Sequence, residues 1–450
     1  MFSKVLIANR GEIAVRIIRA CREMGLRTVA VCSTADKTAL HAQIADECVC
    51  IGPAPSKDSY LNMHAILAAC EQTGAEAVHP GFGFLSENAC FARLCSACGV
   101  KFIGPKPESI ELLGDKAQAK ATMKQAGVPV VPGSDGVVSD CEKAEEIAEQ
   151  IGYPVMVKAS AGGGGRGIRI AHSREQLEAA CTAARQEAIA CFGDGSIYLE
   201  KFLLNPRHIE IQVLADEHGN VIHLGERDCS VQRRNQKMIE EAPSPASVMS
   251  EQLRQKMGEA AKAAVRAAGY QNAGTIEFLV DRDGNFYFME MNTRIQVEHP
   301  ITELVTDVDI VKNQLSIAQG EPLKLRQEDI ELRGHAIECR INAENPALNF
   351  RPSPGTIRAL YMPGGPGVRI DSAVYAGYQI PPYYDSMIAK LIVFAPTRQE
   401  AIMKMRWALA EFLVEGVDTN IDFQLSLLHN SDFESGSYDI GFLDRLMKQP

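Results

Sequence analysis

Polar side chains recur at every second position between residues 290 and 298, a spacing that places them on one face of a β-strand. The five are Glu290, Asn292, Arg294, Gln296 and Glu298, and the residues between them are Met291, Thr293, Ile295 and Val297. Two acids, two amides and a guanidinium in one row are the residue types of a reaction site. A solvated sheet face is the alternative for any one of these residues alone, and it is disfavoured for the whole row.

A hairpin just before this row brings a further acid close to it. The strand-like runs 275–280 and 285–290 flank an Asp-Gly pair at 283–284, which is a strong signal for a two-residue hairpin loop. With that loop, Glu277 lies directly opposite Glu290 with Cβ atoms about 5 Å apart, whereas a longer loop with a bulge breaks the register. Two carboxylates at that distance repel by about 3 kcal/mol at an effective dielectric constant of about 20, unless a cation lies between them.

Magnesium is the natural cation for such a pair. Mg²⁺ prefers oxygen ligands, usually one or two carboxylates completed by the phosphates of a substrate, and Mn²⁺ accepts similar ligands. We therefore predict a site for Mg²⁺ or Mn²⁺ formed by Glu277 and Glu290 with the amide oxygen of Asn292.

The composition of the chain excludes several classes of partner. The 57 acidic residues outnumber the 46 lysines and arginines, and the net charge of -11 argues against a general binder of nucleic acid or acidic membranes. The apolar run within residues 1–12 is too short for a signal peptide, and no apolar stretch approaches the length of a membrane span. The 13 cysteines form an odd, scattered set that is typical of free thiols in a reducing compartment. We expect a cytoplasmic protein that binds neither nucleic acid nor membrane.

Alternating strands and helices open the chain, which is long enough at 450 residues for about three domains. The predicted strands are 4–9, 28–33 and 76–80, and the predicted helices are 11–24 and 61–73. This alternation is typical of a doubly wound parallel sheet. The first turn, residues 9–14, lacks the three glycines of a dinucleotide fingerprint, so a nicotinamide-dependent oxidoreductase is poorly supported.

A glycine-rich loop at 162–167 follows the predicted strand 153–158. Successive glycines let backbone N–H groups approach phosphate oxygens, and they also let a loop close as a lid. The loop is not a Walker A motif, because no Lys-Ser or Lys-Thr follows Gly167, and a flexible linker is the alternative for the loop taken alone. Lys158 at the strand end and Lys116 at a helix start are placed to neutralise phosphate charge.

Two further strands and a charged segment precede the hairpin. The apolar strand 197–203 either offers backbone groups to an adenine edge or is a simple core strand. Strand 207–213 alternates, and its polar face carries His208, Glu210 and Gln212. Segment 225–237 is dense in polar residues and contains four cations, and a solvated, charged loop is the alternative for it.

The pattern of predicted secondary structure changes after Gly320. Short strands predicted at 334–343, 355–361, 367–371 and 384–394 are separated by Pro and Gly turns, and a helix is predicted at 397–415. We predict a small third domain, rich in β-strands, with a packed helix.

Taken together, these segments resemble the ATP-grasp superfamily, and specifically the biotin carboxylase component of acetyl-CoA carboxylase. The matching segments follow one another along almost the whole chain, at 7–14, 79–83, 158–167, 225–237, 290–300 and 338–344. The resemblance implies an α/β protein with an N-terminal Rossmann-like domain at 1–114, an ATP-grasp domain at 115–320 with a glycine-rich lid at about 131–203, and a C-terminal biotin carboxylase domain at 321–450.

The resemblance also implies a role for each candidate site residue. Glu277, Glu290 and Asn292 would hold Mg²⁺, in agreement with the hairpin register. The residues implied to bind ATP are Lys116, Lys158, Gly164, Gly165, Glu200, Lys201, Phe202, Leu203, His208, Gln232, Asn235 and Lys237. Those implied to bind bicarbonate are Lys237, Arg294, Gln296 and the backbone of Val297, with Glu298 as the base that removes its proton. Arg340 would stabilise the enolate of biotin, so the implied catalytic residues are Arg294, Glu298, Lys237 and Arg340.

Two positions depart from the family pattern. The family often has His at the position of Asn235, so the contact of this residue with the nucleotide is open, and some relatives have Tyr at the position of Phe82.

The implied reaction is the ATP-dependent carboxylation of biotin, with bicarbonate as the carbon source and carboxyphosphate as the intermediate. Biotin would arrive on a separate carrier protein, and carboxyltransferase subunits would complete an acetyl-CoA carboxylase that supplies malonyl-CoA for fatty acid synthesis. The alternatives are a pyruvate or another acyl-CoA carboxylase, a different ATP-grasp ligase, and a catalytically silent nucleotide-binding module. Glu298 and Arg340 argue against the silent module, since a mere binder needs neither a base nor an enolate clamp. The family suggests a homodimer.

Three motifs are interpreted as decoys. The pair Cys95 and Cys98 is disfavoured as a zinc or redox site, because no second pair at metal spacing accompanies it. Cys229 is disfavoured as a nucleophile, because no motif places a base beside it. The tripeptide 403–405 resembles the site where carriers attach biotin, but it lies in a predicted helix, whereas carriers present that lysine on a tight turn.

Overall fold

The structure is a computed structural model that describes residues 1–134, 136–138, 140–159, 168–192 and 195–448. Within these ranges, no helix is long and apolar enough to cross a membrane.

A five-stranded parallel sheet opens the chain, as its alternating strands and helices predict. Its strands are β1 (Lys4–Ile7), β2 (Arg27–Ser33), β3 (Glu47–Gly52), β4 (Ala77–His79) and β5 (Lys101–Phe102), in the order β3-β2-β1-β4-β5. The helices around it are α1 (Gly11–Glu23), α2 (Leu40–Ile44), α3 (Met63–Thr73), α4 (Ala89–Ala97) and α5 (Pro107–Gly114). All of β1 is buried, because helices cover both faces of a parallel sheet.

A small three-stranded antiparallel sheet comes next. It contains β6 (Val155–Ala159), β7 (Ile168–Ala171) and β8 (Ile197–Lys201) in the order β7-β6-β8. The helices of this region are α6 (Lys116–Gln125), α7 (Cys141–Ile151) and α8 (Arg174–Phe192). The predicted adenine-edge strand 197–203 thus ends as β8 at Lys201.

The longer of the remaining strands build one large antiparallel sheet, and the short ones pair two by two outside it. From the middle of the chain come β9 (Arg207–Ala215), β10 (Val221–Arg233), β11 (Gln236–Ala242), β12 (Asn272–Val280) and β13 (Phe286–Asn292), with helices α9 (Glu251–Ala267), α10 (His299–Thr306) and α11 (Ile310–Ala318). The later strands are β14 (His335–Asn342), β15 (Glu344–Asn345), β16 (Arg351–Pro352), β17 (Gly355–Thr356), β18 (Ala359–Tyr361), β19 (Val368–Ser372), β20 (Gln379–Ile380) and β21 (Met387–Ala395). The sheet has eight strands in the order β13-β12-β9-β10-β11-β14-β21-β19, so the C-terminal region extends the sheet of the middle region.

The C-terminal region also packs helices, as predicted, but its first helix is shorter than expected. Helix α12 (Arg398–Glu411) ends before a short strand, β22 (Leu413–Glu415), and α13 (Ile421–Leu428), α14 (Ser431–Glu434) and α15 (Phe442–Met447) follow. The predicted helix 397–415 is therefore wrong over its last residues, because β22 pairs with β18. A strand partner distant in sequence overrides the local helical pattern.

Alternation along β9 and β12 separates an apolar core from a polar face. Ile209, Ile211, Ile276 and Phe278 pack in a cluster with α9. The intervening side chains point the other way, and Glu277 pairs across the sheet with Glu210. Both faces are buried, so the polar face is covered by other parts of the protein rather than by bulk water.

Candidate functional site

The polar face of the large sheet forms one wall of a cleft of about 2110 Å³. Other walls come from the first turn of the N-terminal sheet, from α6 and from the small sheet. The cleft brings together Lys116, Lys158, Glu200, His208, Gln232, Asn235, Lys237, Glu277, Glu290, Asn292, Arg294, Gln296, Val297, Glu298 and Arg340. Among the described residues, Lys201, Phe202 and Leu203 are not part of its lining, and Gly164 and Gly165 lie outside the described part of the chain.

The hairpin pairs the two acids as predicted, although by a different route. The loop is longer than two residues: Asp281 donates its backbone N–H to the carbonyl of Asn285 (2.9 Å), and its side chain accepts the N–H of Asn285 (2.9 Å). The predicted loop is therefore wrong, because this side chain stabilises a wider turn. A register shift that leaves Met289 unpaired then restores the pairing of Glu277 with Glu290. The bulge cancels the shift in strand register that the wider loop introduces.

The row of polar residues is not one continuous strand. Strand β13 ends at Asn292 and residues 293–297 are irregular, so the predicted strand through 298 is wrong. The irregular segment is fixed by Lys390, which donates to the carbonyl of Val297 (2.7 Å). The ring Nδ1 of His299 lies 2.8 Å from the carbonyl of Gln296. All five side chains of the row still line the same cleft.

Lys237 is the centre of a buried cluster of charges. Its Nζ donates to Oε2 of Glu210 (2.6 Å), Oε1 of Glu277 (3.0 Å) and Oε1 of Glu298 (2.7 Å). Burial opposes a charged ammonium, but the acidic groups around it raise the pKa of Lys237 well above its usual value. Lys237 is therefore a fixed positive charge in the wall of the cleft.

Glu298 is held between two cations. Lys237 contacts one oxygen, and Nη2 of Arg340 donates to the other at 2.9 Å. Burial opposes ionisation, but Lys237, Arg340 and Arg227 together lower the pKa of Glu298 well below its usual value. The candidate base is thus ionised at neutral pH and can accept a proton.

Arg340 has a second carboxylate partner. Its Nε donates to Oε1 of Glu240 at 2.6 Å. Burial raises the pKa of Glu240 to about 7, and the charge of Arg340 only partly offsets this. Burial also opposes the charge of Arg340, but Glu240 and Glu298 raise the pKa of its guanidinium. Arg340 remains a cation that borders the cleft.

The predicted metal site offers oxygen donors on the cleft surface. Oε1 of Glu277 accepts from Nδ2 of Asn292 (2.8 Å), and Oε2 lies 3.1 Å from Nε2 of His208. The Glu290 side chain is 42% exposed and faces Lys116 at 3.7 Å. Two carboxylates and an amide are residue types that suit a hard cation that also binds phosphate, and the amide oxygen of Asn292, which here accepts from Nη2 of Arg294 at 2.9 Å, would have to leave this partner to bind the cation. The residues present fit Mg²⁺.

The side of the cleft formed by α6 and the small sheet is lined by lysines. Asp115 caps α6 by accepting the N–H groups of Ala117 and Gln118, so Lys116 lies in the first turn and Lys120 one turn later. Lys120 contacts Oε1 of Glu200 at 2.7 Å, and Lys158 contacts the other oxygen. Burial opposes the charge on Glu200, but the two lysines lower its pKa.

Several residues of the site are not among the sequence predictions. Glu210 binds Lys237, and its place on the polar face of 207–213 is the signal that could have found it. Glu87 accepts from Nε of Arg294 (3.0 Å) and from the backbone of Thr293 (3.1 Å). It lies 206 residues before Thr293, and no local pattern marks it. Arg227 contacts Gln296, and Lys390 contacts the carbonyl of Val297. No local sequence pattern marks either residue as part of the site.

The three decoy motifs have structural explanations. Lys404 is on α12 and donates to the carbonyls of Phe394 (2.7 Å) and Pro366 (2.9 Å), so it is not presented on a turn. Burial raises the pKa of Cys229 well above its usual value, which keeps it a thiol. Cys95 is buried while Cys98 is exposed, and both are free.

The segments of this chain that match known protein families contain all the residues that line the cleft. Residues 1–110 match the family model described as biotin carboxylase, N-terminal domain, and residues 338–445 match biotin carboxylase C-terminal domain. Residues 115–326 match carbamoyl-phosphate synthase L chain, ATP binding domain.

Similar proteins extend over nearly the full length. Biotin carboxylase 1 of Bacillus subtilis is 57% identical over 445 residues, covering 99% of this chain and 98% of the relative. A pyruvate carboxylase subunit of Methanothermobacter thermautotrophicus is 56% identical, covering 99% and 90%. Among solved structures, the biotin carboxylase domain dimer of Hydrogenobacter thermophilus 2-oxoglutarate carboxylase, in complex with MgADP, ADP and bicarbonate, matches with a TM-score of 0.88 and 53% identity. That match covers 99% of this chain and 98% of the other.

Proposed function

The chain belongs to the biotin carboxylase family of ATP-grasp enzymes, which use ATP, Mg²⁺ and biotin, and we propose that the cleft residues carry out both steps of the carboxylation. Bicarbonate and ATP would react first, and biotin on a carrier protein would then be carboxylated. The observation that carries this proposal is the position of Glu298, an ionised carboxylate between Lys237 and Arg340.

Nucleotide binding would use the lysines and acids of the cleft. Glu277, Glu290 and Asn292 would hold Mg²⁺, which when bound neutralises charge on the phosphates of ATP. Lys116 and Lys158 would leave their carboxylate partners for phosphate oxygens, because both already face the cleft. His208, Gln232 and Asn235 also border the cleft, and they and the segment 200–203 remain proposed contacts of the nucleotide.

Bicarbonate would bind where Lys237, Arg294 and Gln296 converge, beside the backbone of Val297. The anion would draw Lys237 away from Glu298, which removes part of the positive field that holds this carboxylate ionised. The pKa of Glu298 then rises towards a value at which it takes a proton efficiently. Glu298 would remove the proton of bicarbonate as a bicarbonate oxygen forms a bond to the γ-phosphorus and ADP leaves.

The second step would use Arg340. Carboxyphosphate would break down to CO₂ and phosphate, phosphate would take the proton of the ureido nitrogen of biotin, and that nitrogen would then form a bond to the carbon of CO₂. Negative charge develops on the ureido oxygen when the proton leaves, and a cation that borders the cleft can stabilise it. Arg340 would meet this requirement because Glu240 holds its Nε and Glu298 its Nη2 while the guanidinium borders the cleft.

Acetyl-CoA carboxylase is our proposed parent complex, with carboxyltransferase subunits as further partners, a product used for fatty acid synthesis and a cytoplasmic location. A pyruvate or 2-oxoglutarate carboxylase is the second candidate, because relatives of both kinds match this chain over nearly its full length. Mass spectrometry of proteins that co-purify with the chain tests the choice. An acetyl-CoA carboxyltransferase among them supports the first candidate, and a pyruvate or 2-oxoglutarate carboxyltransferase rejects it.

We also propose a homodimer formed by the C-terminal region. Tyr361 and Leu413 pair across two strands and are exposed, as are Met403 and Trp407 of α12. Exposed apolar side chains grouped on one region are typical of an interface, and a relative of known structure is a dimer.

The reaction itself is tested by ATP hydrolysis at steady state. We expect turnover that depends on bicarbonate and rises when free biotin is added. A rate of ATP hydrolysis that depends on neither bicarbonate nor biotin would show that the cleft catalyses a different reaction.

A further inference from the structure

Arg227 is the largest fully buried side chain among the described residues, and no step proposed above uses it. It lies on β10, directly opposite Glu210 of β9 in the sheet. Arginine stays charged at any pH a protein experiences. A buried charge of this kind is very costly unless each of its polar groups has a partner.

Each nitrogen of this guanidinium has its own acceptors. Nε donates to Glu210 (2.6 Å), Nη1 to Gln212 (2.8 Å) and Thr302 (2.9 Å), and Nη2 to Thr275 (3.2 Å) and Gln296 (2.5 Å). A guanidinium has five N–H donors, whereas the ammonium of lysine has three. Only arginine can therefore satisfy this set of acceptors.

The bond to Gln296 decides how its amide is oriented. The two ends of an amide have almost the same shape, and hydrogen-bond partners determine which end points where. Arg227 can only donate, so it selects the oxygen of Gln296. The Nε2 group then donates to Glu277, which lines the cleft, at 2.9 Å and to the buried Glu210 at 3.3 Å.

The bond to Glu210 reaches a second pocket residue. One oxygen of Glu210 accepts from Arg227 at 2.6 Å, and the other accepts from Lys237 at 2.6 Å. The carboxylate is thus shared between two cations and cannot rotate without breaking one bond. This arrangement fixes the ammonium of Lys237 relative to the sheet.

We propose that Arg227 is a positioning residue for the bicarbonate pocket. It orients the amide of Gln296 and, through Glu210, the ammonium of Lys237, without touching the substrate. This inference rests on the proposed function, in which Gln296 and Lys237 bind bicarbonate.

The variant Arg227→Lys tests the inference because it keeps the charge but loses donors. We expect the KM for bicarbonate to rise by about tenfold, the effect of losing one hydrogen bond to a charged group. The KM for MgATP should rise by a clearly smaller factor, since Arg227 contacts none of the nucleotide residues on α6 or the small sheet and reaches Lys237 and Glu277 only through Glu210 and Gln296. Equal changes in both KM values, or an unchanged KM for bicarbonate, would overturn the inference.

A matched control is Arg207→Lys on the neighbouring strand β9. Arg207 is also a buried arginine with a carboxylate partner, Asp228 at 2.7 Å, but it does not line the cleft. We expect this variant to lose stability while the KM for bicarbonate is unchanged. If Arg207→Lys raised that KM as much as Arg227→Lys, the effect would be a general consequence of a weakened sheet.

Two further variants separate failure of the inference from failure of the proposed pocket. If Gln296→Ala and Lys237→Met leave the KM for bicarbonate unchanged, the pocket itself is wrongly assigned. If they raise it and Arg227→Lys does not, only the positioning role fails. Combining Arg227→Lys with Gln296→Ala should raise the KM by less than the product of the two separate effects, because Arg227 acts in part through Gln296 and in part through Glu210 and Lys237.

A milder variant covers the case in which Arg227→Lys does not fold. Thr302→Val keeps the shape of the side chain and removes one acceptor of Arg227, at a helix that lies behind the pocket. The guanidinium should then shift, and the KM for bicarbonate should rise by a larger factor than the KM for MgATP. An unchanged KM for bicarbonate in this variant would also contradict the inference.

Discussion

Replacing Glu298 by Gln removes the proposed base while keeping the shape of the side chain. The two cations that hold Glu298 keep other partners, since Lys237 still contacts Glu210 and Glu277 and Arg340 still contacts Glu240. The loss of stability should therefore be smaller than the about 3–5 kcal/mol that follows when a buried ion pair is left with one uncompensated charge. The folded site should survive the change.

The expected loss of turnover is large. General base catalysis contributes about 10²–10⁴ in rate, which corresponds to about 3–5 kcal/mol of transition-state stabilisation. Glu298 contacts Lys237 and Arg340 rather than Lys116 or Lys158, so affinity for MgATP should change little. We expect Glu298→Gln to lose most bicarbonate-dependent ATP hydrolysis, measured at steady state, while calorimetry shows near-normal binding of a non-hydrolysable MgATP analogue.

Glu226→Gln is the matched control for this experiment. Glu226 is a buried carboxylate paired with Arg254 at 2.6 Å, and it does not line the cleft. This control should keep near-normal turnover. A rate for Glu298→Gln close to that of the control would refute the assignment of the base, and a parallel loss of MgATP affinity would show that the substitution acts on the fold instead.

The remaining predictions concern a cation, a metal ligand and a buried acid. Arg340→Ala should lose biotin carboxylation by about 10²–10³ while bicarbonate-dependent ATP hydrolysis persists; equal loss of both would contradict its role. Glu290→Gln should raise the Mg²⁺ concentration for half-maximal rate by about tenfold, or about 1.4 kcal/mol, and an unchanged Mg²⁺ titration would exclude it as a ligand. Although burial opposes ionisation, His335 and Arg398 lower the pKa of Glu241 to about 2. The ionised Glu241 therefore stabilises the fold fully above its unfolded pKa near 4.5, and this stabilisation is lost as the pH falls towards 2. Glu241→Gln should cost about 3 kcal/mol of unfolding free energy at pH 7 and little near pH 2, measured by urea unfolding; a cost that does not depend on pH would contradict this.

Local patterns predict the elements of the site because strand alternation is a property of neighbouring residues. The pairing of Glu277 with Glu290 follows from two short runs and a turn, and it is confirmed. The details of the turn are wrong, because the side chain of Asp281 bonds the loop backbone and a bulge then shifts the register back. The sequence offers no measure of such offsetting changes.

Contacts between distant segments are what the sequence does not predict. Glu87 reaches Arg294 and Lys390 reaches Val297 only after the sheets have come together. Arg227 stands in a segment whose many charges suggest a solvated loop, yet the strand there is almost wholly buried. The roles implied by the family resemblance for the nucleotide contacts, and the domain limits, stay predictions.

The cations of the cleft are already paired before any substrate enters. Lys237 is held by three carboxylates, and Lys158 shares Glu200 with Lys120. An incoming anion must therefore replace a carboxylate. The binding free energy is then the difference between the interaction of the cation with the anion and its interaction with the carboxylate, rather than the full Coulomb energy of a new pair. A small spherical anion forms too few directed hydrogen bonds to compensate for the loss of the carboxylate. Bicarbonate and a triphosphate offer several charge-assisted bonds in a fixed geometry, so the internal ion pairs favour these substrates over simple anions while keeping each cation aimed at the cleft.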